Sequence, residues 1–268
     1  MQTFGELYGR YLDTSTITRK HLDVAYGTQA AQKLDIYYPE VGEGPLPVVV
    51  FFHGGGFFKG DKGRYQLASA LSALDLGYAV ASVNYRMLPE HPLPAAFEDA
   101  EHALSYLSEH ATELGVDPGR MAVWGESAGA TLAVWAGCKR GVRAIVSWYA
   151  AIDVSHITDA LLEEAGSDCA TLAEYLFGLS GDELAKACKR YDLRTLAESH
   201  VPALIALHGT ADELVPTQDS IELHEAFSAC LAPDKNKLML AEGGHHGVAD
   251  YQDERTLATM LDFLDANV

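Results

Sequence analysis

Five residues, Gly125-Glu126-Ser127-Ala128-Gly129, constrain this chain more than any other stretch. They follow a short apolar run, Met121-Ala122-Val123-Trp124, and lead into a small, apolar, helix-compatible run from Ala130 to Ala136. The spacing G-x-S-x-G between a strand and a helix predicts a sharp turn with the serine at its apex. Strand and helix can approach closely there only if the flanking side chains are small, and Gly125, Ala128 and Gly129 meet that need. A helix starting near Ser127 also aims free N–H groups and its positive dipole end at the place where negative charge would develop.

The rest of the chain alternates strand and helix signals. Leu34-Asp35-Ile36-Tyr37-Tyr38 alternates and stops at Pro39, as a strand does. Leu46 to Phe52 and Tyr78 to Tyr85 are nearly continuous apolar runs, the pattern of strands buried on both faces. Asp117-Pro118-Gly119 reads as a turn into the strand before Ser127. Strands are also expected at Ala144–Tyr149, Pro202–His208 and Lys237–Leu240, and helices at Gln66–Leu76, Ala95–His110, Gln218–Ala229 and residues 253–266. Residues 151–200 break this rhythm with short, charged helical patterns and no strand, and are read as a small helical cap inserted over the carboxyl ends of the strands. Residues 1 to about 20 are polar and weakly patterned. The expectation is an α/β fold in one domain, residues 1–268, with a mostly parallel central sheet covered by helices on both faces.

Composition removes several function classes. Among 268 residues, 38 are acidic and 19 basic, a formal net charge of −19 that would repel a phosphate backbone, so no nucleic-acid partner is expected. Cys138, Cys169, Cys188 and Cys230 show neither C-x-x-C spacing nor a Cys/His pattern for zinc. No apolar segment is long enough to span a membrane, and the N-terminus lacks a basic region followed by an apolar run. The chain is therefore read as cytoplasmic, without a metal or other cofactor; a homodimer is compatible with the sequence.

Serine is a weak nucleophile and needs a base, which in turn needs an orienting acid. Downstream of Ser127, Asp212 and its neighbour Glu213 follow the strand ending at His208. The pair His245-His246, flanked by glycines, follows the next strand. Two adjacent histidines do not readily face one site, so one of the two is the base. His245, His246 and Asp250 could also be imagined around a metal, but adjacent histidines lack H-x-x-x-H spacing. His53 and His208 are expected to hold loop backbone, and His91 to be structural. His53-Gly54-Gly55-Gly56 follows a core strand at once. Three glycines in a row carry a large ordering cost, which makes sense where backbone N–H groups must approach a ligand closely. Gly55, Gly56 and Ala128 are the expected oxyanion donors. Phe57, Phe58, Leu176 and Phe177 are candidates for the pocket wall, with ordinary packing as the competing reading.

Four stretches together resemble one family. They are His53-Gly54-Gly55-Gly56, Tyr85-Arg86-Met87-Leu88-Pro89-Glu90-His91-Pro92-Leu93-Pro94-Ala95, Gly125-Glu126-Ser127-Ala128-Gly129, and His208-Gly209-Thr210-Ala211-Asp212-Glu213-Leu214-Val215-Pro216. The chain is similar to α/β-hydrolase esterases of the hormone-sensitive-lipase-like group and to their short feruloyl- and acetylxylan-esterase-like relatives. The resemblance implies an α/β-hydrolase fold and a serine carboxylesterase without cofactor, its triad running in the order serine, acid, histidine. It assigns Ser127, Asp212 and His246, since Gly244-His245-His246-Gly247 matches the family's G-x-G-H-G ending with His245 where glycine is common. Val248 departs from the usual aromatic. The expected substrates are small carboxylic esters with short acyl chains, cleaved through an acyl-enzyme. The alternatives are an arylformamidase-type amide hydrolase and a non-catalytic small-ligand receptor on the same fold.

Overall fold

The computed structural model describes residues 9–197 and 201–268. The expected wrapping role of the N-terminal segment therefore lies partly, and residues 198–200 of the insertion lie wholly, outside the described residues. Among the described residues eight strands form one sheet: β1 (Lys20–Ala25), β2 (Lys33–Tyr37), β3 (Leu46–Phe52), β4 (Ala79–Val83), β5 (Val116–Glu126), β6 (Ala144–Trp148), β7 (Ala203–Gly209) and β8 (Asn236–Ala241). Their spatial order is β1-β2-β4-β3-β5-β6-β7-β8. β1 and β2 pair antiparallel with each other, and β2 with β4; every other pair is parallel.

The sequence pattern explains the centre of this sheet. In β3, Val48, Val50 and Phe52 join the cluster on one face while Val49 and Phe51 join the other, and all five are fully buried. Each such side chain contributes about 1.5–3 kcal/mol on burial. Helices α2 (Pro94–Glu109), α4 (Ala128–Arg140) and α8 (Thr217–Ser228) cover one face with residues such as Leu104, Leu132 and Phe227. On the other face lie α1 (Leu67–Leu71) and α9 (Glu254–Asn267), with Leu67, Met260 and Phe263. The short α3 (Ala111–Leu114) leads into β5.

Two readings change. β1 has no counterpart among the expected strands. Most of its residues are exposed and its register breaks between His21 and Val24, so an edge strand wet on both sides carries no apolar alternation. Asp117-Pro118-Gly119 lies within β5 rather than before it. The pairing steps from Leu46↔Val116 to Val48↔Met121, and the Asp117 carboxylate accepts from Gly119 N–H at 2.9 Å, so a bulge in the strand contains the expected turn.

The stretch from β6 to β7 contains α5 (Leu161–Ala165), α6 (Leu172–Phe177), α7 (Gly181–Arg190) and short 3-10 turns, with no strand among its described residues. It is tied back to the body at several points: Leu93 N–H donates to Leu176 O, Thr158 N–H to Leu214 O, and Ile152 N–H to the Asp219 carboxylate in α8. The proline-rich loop after β4 is a brace. Arg86 makes a forked contact with buried Asp99 of α2 at 2.7–3.0 Å, and Gln32 reaches the same carboxylate at 2.6 Å.

Candidate active site

Ser127 sits between β5 and α4 with φ +55° and ψ −125°, a conformation that costs a non-glycine residue about 1–3 kcal/mol and survives only where the surroundings hold it. They do so by close approach. A Cβ on Gly125 would lie 2.1 Å from Gly129 O, and one on Gly129 would lie 2.0 Å from Phe52 O. Ser127 N–H donates to Trp148 O at 2.9 Å, while its carbonyl receives Ala130 and Thr131 N–H.

Ser127 Oγ lies 2.8 Å from His246 Nε2, and His246 Nδ1 lies 2.7 Å from Asp212 Oδ2. The carboxylate oxygen only accepts, so Nδ1 carries the proton and Nε2 is left to accept from the serine. Asp212 and the His246 ring are almost fully buried. Burial alone would raise the Asp212 pKa. Hydrogen bonds from His208 and His246, the His246 charge and the Val215 N–H outweigh it and hold the carboxyl well below the usual carboxylate range. Its Oδ1 accepts from Leu214 and Val215 N–H, each at 2.9 Å. The group is thus an anion fixed in the orientation that an imidazolium would need.

The rival residues face elsewhere. His245 is exposed, donates its N–H to Asp250 at 2.8 Å, and turns its ring toward Glu213, 3.4 Å away and also exposed. His53 is fully buried, donates from Nδ1 to its neighbour Gly54 O at 2.8 Å and stacks on Tyr85; burial depresses its pKa. His91 N–H closes a turn onto Met87 O. Both His53 and His208 contact loop carbonyls, as expected from sequence, but the approach of His208 to Asp212, 3.1 Å, was not foreseen. Its placement four residues before the acid, at a strand end, was the available signal.

Gly55, Gly56 and Ala128 line one cavity with Ser127 and His246. The N–H groups of Gly55 and Gly56 donate to no group among the described residues, and Ala128 is the first residue of α4, where an N–H has no intrahelical acceptor. The cavity is otherwise walled by Phe58, Lys59, Ala151, Ile157, Leu161, Leu214 and Val215. Of the aromatic and insertion residues singled out from sequence, Phe58 lines it. Phe57, Leu176 and Phe177 are buried in the core instead, and Ile157 and Leu161 supply the insertion's part of the wall.

Two further features escaped the sequence. Tyr149, at φ +44°, packs its ring edge-on against His246 at 4.7 Å. Behind it, Glu126 is fully buried, 3.4 Å from Tyr149 OH. Burial pushes the Glu126 carboxyl well above its ordinary pKa, against a smaller opposing effect of the Tyr149 hydroxyl.

A mostly parallel sheet wrapped by helices, with a serine on a strained strand–helix turn linked through histidine to a buried carboxylate, defines an α/β-hydrolase with the arrangement serine hydrolases use. The BD-FAE family model matches residues 34–227, and the chain belongs to that family. It is 45% identical over 100 residues to esterase LipI of Mycobacterium tuberculosis (strain ATCC 25618 / H37Rv), a match covering 37% of this chain and 31% of the relative. It is 30% identical over 251 residues to the probable isoprenylcysteine alpha-carbonyl methylesterase ICME of Oryza sativa subsp. japonica, covering 86% of this chain and 58% of that protein. The chain thus spans about a third of the length of the first curated relatives it matches. Among solved structures, a truncated carbohydrate esterase from gut microbiota shares the fold with a TM-score of 0.83 at 22% identity, covering 96% of this chain and 99% of the other. A hyperthermophilic esterase from the archaeon Pyrobaculum calidifontis has a TM-score of 0.72 at 26% identity, covering 93% and 84%. Among the described residues, no helix is long and apolar enough to cross a membrane.

Proposed function

We propose that this chain is a serine carboxylesterase acting on small carboxylic esters. The observation that carries the reading is the unbroken line from Ser127 Oγ through the His246 ring to buried, ionised Asp212. Ser127 Oγ attacks the ester carbonyl carbon while His246 Nε2 takes its proton. The carbonyl oxygen becomes an oxyanion facing the N–H groups of Gly55, Gly56 and Ala128. The tetrahedral intermediate collapses, the C–O bond to the alcohol breaks, and the leaving alkoxide takes the proton from His246. Water then gives a proton to His246 and attacks the acyl-enzyme. Its collapse returns the proton to Ser127 Oγ and frees the acid. Throughout, Asp212 remains ionised, keeps His246 in the required tautomer and stabilises its cation.

The named esterases among the relatives support ester chemistry. A narrow cavity beside Ser127, closed in by Phe58, Ile157, Leu161 and Leu214, supports short acyl chains. Residues 151–200 act as a cap within a single domain, since Ile157 and Leu161 wall the cavity from that segment. A cytoplasmic setting fits the four unpaired cysteines. The test is hydrolysis of p-nitrophenyl esters from acetate to laurate. Turnover greatest for short chains and lost in Ser127→Ala is the expected result. Failure on every ester, with turnover of N-formylkynurenine, would replace the esterase reading by the amide one.

A further inference from the structure

His208 closes β7, and its ring is fully buried. Its Nε2 lies 3.1 Å from Val215 O and 3.1 Å from Asp212 Oδ2, the same oxygen that His246 Nδ1 meets. On the other side, its Nδ1 lies 2.7 Å from Ser220 Oγ in α8, itself buried. A carbonyl and an ionised carboxylate only accept hydrogen bonds, so the His208 proton is on Nε2. Nδ1 then accepts the Ser220 O–H, which fixes that tautomer. The two histidines around Asp212 are thus held in opposite tautomers: His246 Nδ1–H donates to Oδ2 at 2.7 Å, and the His208 Nε2–H, directed at Val215 O, has the same oxygen beside it at 3.1 Å. The acid turn is gripped twice, because Val215 N–H donates to Asp212 Oδ1 while Val215 O accepts from His208.

We propose that His208 is a positioning residue for the ester-cleaving site: its Nε2–H, aligned by Ser220, sets the orientation in which the Asp212 carboxylate meets His246. The proposal rests on the triad reading above. A carboxylate turns in a broad torsional well, so the two backbone donors on Oδ1 leave Oδ2 dependent on what faces it. Loss of the His208 contact lets Oδ2 drift from His246 Nδ1. A displacement of about 1 Å among reacting groups costs roughly a hundredfold in rate.

Two amide substitutions separate positioning from packing. In His208→Gln the amide nitrogen falls near the position of Nε2, with two N–H groups for Val215 O and Asp212. In His208→Asn it falls near Nδ1, which leaves Asp212 without that donor. Both replace a buried ring by an amide, so a merely structural role predicts equal losses. The readouts are kcat and KM on p-nitrophenyl acetate, and the downfield proton resonance of His246 Nδ1–H, which needs no turnover. His208→Asn is expected to lose about a hundredfold in kcat, with KM within about threefold, and to shift or broaden that resonance. His208→Gln is expected within about tenfold of the parent and to keep it. Equal kcat values in the two variants, with an unmoved resonance in both, would overturn the proposal. If neither folds, Ser220→Ala removes only the hydroxyl that fixes the tautomer; parental kcat and an unchanged resonance there would overturn it equally. A parent chain that cleaves no ester sinks the activity, while the resonance still decides the role of His208.

Discussion

Lys59 of the glycine loop pairs with Glu164 of α5, so the loop carrying the proposed oxyanion donors is joined by a side-chain contact to the segment proposed as the cap. Lys59 also lies over the Phe58 ring and lines the cavity beside Leu161. The carboxylate is 44% exposed, and such pairs contribute about 0–1 kcal/mol, so the pair bears on the cavity's closure more than on global stability. Glu164→Ala is expected to leave the unfolding midpoint nearly unchanged and to raise octanoate turnover relative to acetate severalfold. An unchanged chain-length profile would show that the pair does not limit the pocket.

His246→Ala and Ser127→Ala are each expected to lower kcat by at least about ten-thousandfold, because members of such a unit fail together. His245→Ala is expected to stay within about twofold of the parent, since its exposed ring faces Glu213 rather than Ser127. A steady-state comparison of the three decides the base. Loss in His245→Ala with retention in His246→Ala would reverse the assignment.

Stability should respond to pH through two carboxyls in opposite ways. Asp212 titrates lower in the fold than in the unfolded chain. Its contribution is therefore present above the unfolded value of about 4 and is lost as the pH falls further. Glu126 titrates higher in the fold, so the folded state binds more protons above the unfolded value, and stability falls as the pH rises through the interval between its two pKa values. Glu126→Gln removes the second effect. Urea unfolding at pH 5 and pH 8 should show a smaller loss toward high pH in Glu126→Gln than in the parent. Equal slopes would mean that Glu126 carries the same charge in the folded and unfolded states across this range, against a raised carboxyl.

Gly129→Ala tests the approach of α4 to the sheet. A Cβ 2.0 Å from Phe52 O cannot be accommodated without moving the helix, and comparable overpacking costs about 1–3 kcal/mol. A lowered urea midpoint and loss of ester turnover together are the expected outcome. Parental values for both would mean that the helix can shift without disturbing Ser127.

The elements legible in the sequence are those whose signal is local. Leu46 to Phe52 reads as a doubly buried strand because each of its side chains must be apolar whichever face it takes, and Gly125 to Gly129 reads as a strand–turn–helix because only small residues permit the approach. Candidate acids and bases were also legible as residues at strand ends. The choice among them rests on the family resemblance, not on any local pattern of the residues themselves. Ser127 and His246 are 119 residues apart, and only the parallel register from β5 through β8 brings their loops to one edge of the sheet. There the chain's path after β8 turns His246 inward and leaves His245 in solvent. The same holds for His208, whose sequence marks a strand end while its three ring contacts, Asp212, Val215 and Ser220, lie in the following loop and in α8. Periodicity and residue size record what a side chain needs from its immediate neighbours; which distant group meets it is decided when hydrophobic burial fixes the sheet order.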